Sequence, residues 1–166
     1  MNIIVNVSEN WAIGKGNSLL FHISGDMKFF KSHTVGNTVV MGRKTLESLP
    51  GARPLPNRQN IVLTRNADFE PVISDNLKIM HSIDEFLVSI DVDNSDDIYV
   101  IGGESIYATL LPYCKRAYVT KVMDTVTDAD AFMVNLDDES DWEISEESET
   151  INEKGFDYKF VTYTRK

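Results

Sequence analysis

Apolar residues recur in short runs along the chain, and their spacing predicts strands alternating with helices. IIVNV (residues 3–7) is a compact apolar strand, and the polar, turn-rich SENWAIGKGN (8–17) that follows reads as a mobile loop. From Ser24 to Thr34, Met27, Phe30 and Lys31 fall at helical spacing, with Ser24 the candidate N-cap and Gly36-Asn37 the break. NTVVMG (37–42) predicts a buried strand, and RKTLESL (43–49) a short helix stopped by Pro50-Gly51. RPLPNR (53–58) predicts a proline-stiffened loop leading into the strand NIVLT (60–64).

Leu77 to Met80 is a further candidate strand, and Ser82-x-x-Glu85 ahead of Phe86, Leu87 and Ile90 has the form of a capping box opening a helix. DIYVIGG (97–103) is a buried strand ending in a glycine pair, with ESIYATLLPYC (104–114) the helix after it. Arg116–Val122 and FDYKFVTYTR (156–165) alternate well enough to pair antiparallel in one sheet. The expected fold class is therefore α/β with a mixed sheet, strands dominating the last third.

The length of 166 residues fits one domain, 1–166, with a core large enough to need neither disulfides nor a structural metal. Cys114 is the only cysteine, MNIIVNVSEN lacks the basic and apolar regions of a signal peptide, and no apolar run reaches the ~18 residues of a membrane span. A cytoplasmic protein is expected. A net charge of −10 argues against nucleic acid as the partner, because that binding is dominated by Lys and Arg on phosphates. The charge is uneven, however. Residues 137–153 hold nine acidic side chains and no basic one, which reads as a solvated face, whereas Arg43, Lys44, Arg53, Arg58 and Arg65 face only Glu47 within 43–65. Such a local cationic district suits a small anion.

Four places could carry chemistry. Asp26 has Phe29 and Phe30 at i+3 and i+4, so burial among aromatic rings would raise its pKa and let it hold a proton near neutrality. Taken alone, a solvated first-turn carboxylate favoured by the helix dipole is the commoner case. In MGRKT (41–45) a strand ends at a helix start carrying two cations, a place where free amides bind phosphate, and Arg65 joins it if the two strands are neighbours. VIGGESIY (100–107) is a second such turn, although a glycine pair often marks only tight packing. In RPLPNR an arginine could grip a carboxylate through two parallel hydrogen bonds, or simply be solvated. His22, His33 and His81 lack metal-ligand spacing, so no metal is expected.

AIGKGN, DMKFFK, VVMGRKT, RPLPNRQNIVLT, VIGGESIY and DWE occur in the order and spacing of the dihydrofolate reductases, a family that the chain resembles from Ile3 to its end. The resemblance implies an eight-stranded, mostly parallel mixed sheet with four flanking helices, and a monomer that reduces 7,8-dihydrofolate with NADPH. It implies that Asp26 is the acid of the pterin pocket, oriented by Thr120, and that Ile4, Val5, Met27, Phe30, Leu49 and Leu55 wall the substrate. Arg58 takes the place of the arginine that clamps the glutamate α-carboxylate. For the cofactor it implies Gly42, Arg43, Lys44 and Thr45 at one phosphate, and Leu63, Thr64 and Arg65 around adenine and its 2'-phosphate. Gly102, Gly103, Glu104, Ser105 and Ile106 match the pyrophosphate site, Ile101 and Tyr107 flank the nicotinamide, and Asn6, Ile13, Gly14, Asn17, Ser18 and Leu19 match the strand end and gating loop over it.

The chain departs from the family at several points. Leu19-Leu20-Phe21 and Ile23-Ser24 stand where Leu-Pro-Trp and Leu-Pro are common, so Phe21, placed in the catalytic set, lacks the indole N–H that positions a water, and loss of both prolines should loosen the gating loop. Asn6 replaces a small apolar residue, and Ala131-Phe132-Met133-Val134 replaces Thr-Phe-Phe-Pro. Two rivals share part of the pattern: a pyrimidine reductase of riboflavin synthesis, disfavoured by the Asp26 helix and the Arg58 loop, and a nucleotide-binding protein without catalysis.

Overall fold

The computed structural model describes residues 1–166. In chain order the elements are β1 (Asn2–Val7), β2 (Ala12–Lys15), β3 (Ser18–Leu19), α1 (Ser24–Thr34), β4 (Thr38–Gly42), α2 (Arg43–Ser48), β5 (Gln59–Leu63), β6 (Leu77–Met80), α3 (Ile83–Val88) and β7 (Ile98–Gly102). They are followed by α4 (Glu104–Leu110), β8 (Arg116–Val122), β9 (Ala131–Phe132), β10 (Trp142–Glu147), β11 (Ile151–Glu153) and β12 (Phe156–Arg165). No helix is long and apolar enough to cross a membrane.

The main sheet runs β10-β12-β8-β1-β7-β4-β5-β6, with β11 a short hairpin arm on β12. From β8 to β6 every pairing is parallel, and β12 and β10 add antiparallel strands at one edge. This is the expected mixed, mostly parallel sheet with four helices. Its faces follow from the two-residue period of a strand. Ile3, Val5, Val7, Val40, Val100 and Val119 point to the face packed by Phe86 of α3 and by Tyr107 and Leu110 of α4. Val39, Met41 and Val62 point to the other face, against Leu46 of α2. On that same face α1 crosses β8 and β12, its Phe29 ring stacked on Phe160 at 4.1 Å.

Three local expectations change. The predicted mobile loop SENWAIGKGN contains β2, which pairs with β3 and β9 in a second, small sheet and is anchored by the buried Trp11. Its partner β9 lies more than a hundred residues away, so local composition does not announce it. The helix predicted over 104–114 ends at Leu110, and a separate turn of 3-10 helix spans Leu111–Tyr113, where Pro112 has no N–H for a continuing helix. Ser24 is not the N-cap of α1 but its first residue; Ile23 occupies the cap position and contributes no side-chain acceptor. The capping box at α3 forms in part: Glu85 N–H donates to Ser82 Oγ at 3.0 Å, while the Glu85 side chain accepts from the N–H of His81, one residue before the cap, at 2.9 Å.

Candidate active site

Because six strands run parallel, their carboxyl ends share one edge, where open α/β sheets present ligand crevices. A groove of about 1140 Å³ opens there. Gly42 and Leu63 are register partners at the ends of β4 and β5, so Arg43 and Arg65 leave the sheet side by side, as the strand-neighbour condition required. Gly42 and Gly103 cap α2 and α4 without any side-chain acceptor, leaving both helix starts with free amides. The two turns pack closely, and a Cβ at Gly42 would stand 3.1 Å from Ile106 Cγ1. Gly102 has φ +127°, a conformation that L side chains rarely adopt.

Every residue named above for the cofactor lines this groove: Asn6, Ile13, Gly14, Asn17, Ser18, Leu19, Gly42, Arg43, Lys44, Thr45, Leu63, Thr64, Arg65 and Ile101 to Tyr107. Val5 lines it too, and the sequence reading missed Lys15, Ser48, Asn66, His81, Ser82 and Asp130. His81 follows the end of β6, paired through Met80 to Leu63, and its Nδ1 lies 3.0 Å from the Thr64 carbonyl oxygen. Applying the strand-end argument to Leu77–Met80, as it was applied to NIVLT, would have found it. Of the groove's cations, Arg43 donates to Glu47 Oε1 at 2.7 Å, whereas Lys44 and Arg65 are exposed. Over the groove, Gly16 N–H donates to Asp130 Oδ2 at 2.9 Å and Asn17 Nδ2 donates to the Lys44 carbonyl at 2.9 Å. Lys15, at the end of β2, pairs with Asp128 in the segment before β9 that also carries Asp130.

Asp26 lies just beyond the groove, and Asn6 links the two. Asn6 and Thr120 are register partners on β1 and β8, so both side chains rise on the face crossed by α1. Asn6 Nδ2 donates to Asp26 Oδ2 at 2.9 Å, and Thr120 Oγ1 donates to Asp26 Oδ1 at 2.7 Å. Burial pushes the Asp26 pKa up, and although both hydrogen bonds favour the ionised form, burial prevails. The solvated first-turn alternative is thereby set aside. Tyr107, fully buried on α4, donates to the Ile4 carbonyl at 2.9 Å; burial first, and the charge of Asp26 second, raise its pKa.

Of the residues that the resemblance assigns to the substrate, Val5, Ile101 and Tyr107 line the groove, whereas Met27, Phe30, Leu49 and Leu55 lie outside it. Met27 is exposed and Phe30 half-buried on α1, while Leu49, Leu55 and Ile101 pack half-buried over Val39, Met41, Leu46 and Val62. Arg58 is only 6% exposed, and its guanidinium is fixed by donation from Nε to the Pro56 carbonyl at 2.9 Å and from Nη1 to Thr34 Oγ1 at 3.1 Å. Burial lowers its pKa, yet an arginine stays charged. Its Nη2 makes no bond to protein, and the carbon between them lies 6.0 Å from the Phe30 ring centre. Phe21 does not reach the groove. It is buried with Ile23, Val122 and Tyr158, its ring edge-on to Phe156 at 5.4 Å, and so supports the start of α1 from behind.

A parallel sheet with an anion-suited crevice at its carboxyl edge, and at the end of that crevice one buried carboxyl whose pKa is raised, defines an α/β enzyme of the nucleotide-dependent class. A family model described as dihydrofolate reductase matches residues 1–165. The chain is 37% identical to the dihydrofolate reductase of Bacillus subtilis (strain 168), covering 100% of this chain and 95% of that one. It is 39% identical to that of Enterococcus faecium, covering 95% and 92%. The fold matches a dihydrofolate reductase from Enterococcus faecalis, solved in complex with NADP(H) and RAB-propyl, with TM-score 0.84, 35% identity, and 99% and 95% of the chains covered. The chain belongs to the dihydrofolate reductase family.

Proposed function

We propose that residues 1–166 form one catalytic domain that reduces 7,8-dihydrofolate to 5,6,7,8-tetrahydrofolate with NADPH. The observation that carries this reading is the continuity from groove to acid: Asn6 lines the groove and donates to Asp26 at 2.9 Å. The groove fits a dinucleotide phosphate. It has two helix starts without side-chain caps, a close pair of glycine turns and the cations Lys44 and Arg65, with His81 beside them. When bound, NADPH supplies a hydride from nicotinamide C4 to pterin C6.

The chain's residues do the rest. Arg43, Lys44, Thr45, Thr64 and Arg65 hold the adenosine 2'-phosphate end, and Gly102 to Ile106 take the pyrophosphate on their amides. Ile101, Tyr107, Ile13, Gly14, Asn17, Ser18 and Leu19 enclose the reacting ring and exclude water. Asp26 pairs with the amino and ring-nitrogen edge of the pterin, and its raised pKa keeps a proton available for N5, which is reached through water. Thr120 and Asn6 fix the carboxyl plane, so the direction of that proton is set before substrate arrives. Ile4, Val5, Met27, Phe30, Leu49 and Leu55 wall the pterin and benzoyl rings, and Arg58, held by Pro56 and Thr34, presents Nη2 to the glutamate α-carboxylate.

Groove and acid come from one chain, so a monomer can hold the whole site. A single buried cysteine, its thiol pushed up to about 12 by burial, fits the reducing cytoplasm. Mixing purified protein with NADPH and dihydrofolate tests the reading: the NADPH absorbance band should fall only when both are present. NADPH binding without turnover would instead favour a nucleotide-binding protein.

A further inference from the structure

We propose that Glu153 is a positioning residue for Asp26, acting through the first turn of α1. A helix start needs acceptors for its free amides, and Ile23 in the cap position offers none. Glu153 supplies them from 129 residues away: its Oε2 accepts from Ser24 N–H at 2.7 Å and from Ser24 Oγ at 3.0 Å. Its Oε1 accepts from Gly25 N–H at 3.1 Å. The next residue along is Asp26.

The supporting arm is itself well defined. Glu153 is the last residue of β11, paired with Phe156 across a two-residue turn in which Lys154 has φ +51° and Gly155 φ +83°. Positive φ at both turn positions matches the tight hairpin turn whose twist suits two antiparallel strands, so the Glu153 carboxylate is presented by a short, rigid connection. A second observation points the same way. A Cβ at Gly25 would lie 2.2 Å from Tyr158 Oη, so the first turn of α1 is seated directly on β12 and only glycine fits there. Burial raises the Tyr158 pKa, with the charges of Glu153 and Asp26 adding to it, which places one hydroxyl in the field of both carboxylates. Glu153 itself is lowered: some desolvation opposes ionisation, and the bonds from Ser24 and Gly25 outweigh it.

Three consequences for Asp26 follow, of which the first two favour its neutral form. An anion on the helix start offsets the positive end of the dipole that would otherwise favour an ionised Asp26. The three bonds tie the turn to β11, beside its seat on β12, which limits the access of water to the carboxyl. They also fix the bearing from which Asp26 meets Asn6 and Thr120. The groups facing Asp26 are Asn6 on β1, Thr120 on β8, Tyr107 on α4 and Tyr158 on β12, and those facing Glu153 are Ser24, Gly25, Tyr158 and Lys154. None of them replaces the lost anion when Glu153 is removed.

The inference rests on the reductase reading for its kinetic half only, so the test has two readouts. The first is the titration midpoint of the Asp26 carboxyl in ligand-free protein, followed by carbon-13 NMR. The second is steady-state turnover. Glu153→Ala should lower the midpoint by about half a pH unit or more. It should also reduce kcat on the alkaline side severalfold, with NADPH affinity held within about twofold. Ser24→Pro removes two of the three donors while proline remains favourable in the first helical position, so it should shift the midpoint the same way by less. Combining the two should add little to Glu153→Ala alone. Glu153→Gln, which retains an acceptor for Ser24, should recover part of the kcat loss. An Asp26 midpoint unmoved in both Glu153→Ala and Ser24→Pro would overturn the assignment and leave Glu153 a purely structural cap, even if the melting temperature fell. If Glu153→Ala does not fold, Ser24→Pro decides. Wild-type protein without turnover would remove the reductase reading while the NMR titration still judges the positioning.

Discussion

The groove and the acid lie a few ångströms apart and are built on opposite principles. The groove is made mostly of backbone turns and exposed cations, each doing a small part: two uncapped helix starts, Lys44, Arg65, and an Arg43 already shared with Glu47. The acid end is one carboxyl fixed by side chains from β1 and β8, with burial setting its protonation. Redundancy suits binding a polyanion, where many weak contacts add and none is indispensable. Singularity suits proton supply, where one pKa must be right. The two halves should therefore respond to mutation in different ways.

The largest effect is expected at the singular end. Asp26→Asn keeps the shape and can still meet Asn6 and Thr120, yet it has no acidic proton to deliver. Turnover near neutral pH should fall by about 10²–10⁴-fold, the usual range for a general acid. Activity of the variant at that pH within about threefold of wild type would break the contrast. The same substitution carries a stability prediction of opposite sign. A carboxyl whose folded pKa is raised favours folding only while protonated, so its contribution is lost as pH rises from the unfolded value through the folded one. Asp26→Asn should therefore be more stable than wild type at neutral pH, with the gap closing near pH 3–4, about the pKa of an unfolded aspartate. Thermal melts at both pH values check this, and a gap that widens on acidification would contradict the buried, protonated acid.

At the redundant end, single alanine substitutions of Arg43, Lys44 or Arg65 should each change NADPH KM only a few-fold. Each exposed charge gives up about 1 kcal/mol or less, and Arg43 is already shared with Glu47. Replacing all three together should reduce the preference for NADPH over NADH by about tenfold or more, through KM with kcat little changed. If that preference survived in the triple variant, the 2'-phosphate would have to be held elsewhere, with His81 the first position to examine.

The same contrast separates what could be read from the chain from what could not. MGRKT and VIGGESIY are contiguous, and their chemistry is the chemistry of a strand passing into a helix, so hydrophobic pattern and glycine placement were enough to locate those two turns, whereas Asn6 and Ile13 to Leu19 were legible only through the family resemblance. His81 escaped because its membership depends on β6 lying beside β5. At the acid, the helix and its isolated Asp26 were legible, but what holds them was not. The Asn6–Thr120 pairing is a matter of register between strands more than a hundred residues apart. The cap of α1 comes from Glu153, inside an acidic run that locally resembles a solvated face. Ser24 fitted the N-cap pattern and was misassigned for that reason: its hydroxyl donates outward to Glu153 instead of accepting from its own helix. β2 was likewise hidden by its dependence on β9.

Asn6 gives the finest test, because it belongs to both regions. As a wall of the groove it should be replaceable by the small apolar residue common in the family. As a donor to Asp26 Oδ2 it stabilises the ionised carboxyl more than the neutral one, since a hydrogen bond to a charged acceptor is the stronger and an amide NH₂ cannot accept the proton of a neutral acid. Asn6→Ala should therefore raise the Asp26 pKa further above its ordinary value and move the alkaline fall in kcat to higher pH. The shift should be modest, because Thr120 remains on the other oxygen and a water can take the amide's place. At a pH on the alkaline limb the variant should be faster than wild type by up to a few-fold, with NADPH KM changed less than about twofold. A shift to lower pH would mean that opening the site to water outweighs losing the donor, and the acid would then be governed by packing from the groove side more than by its hydrogen bonds. A change confined to NADPH KM would return Asn6 to the groove alone and leave Thr120 as the one polar side chain that sets Asp26.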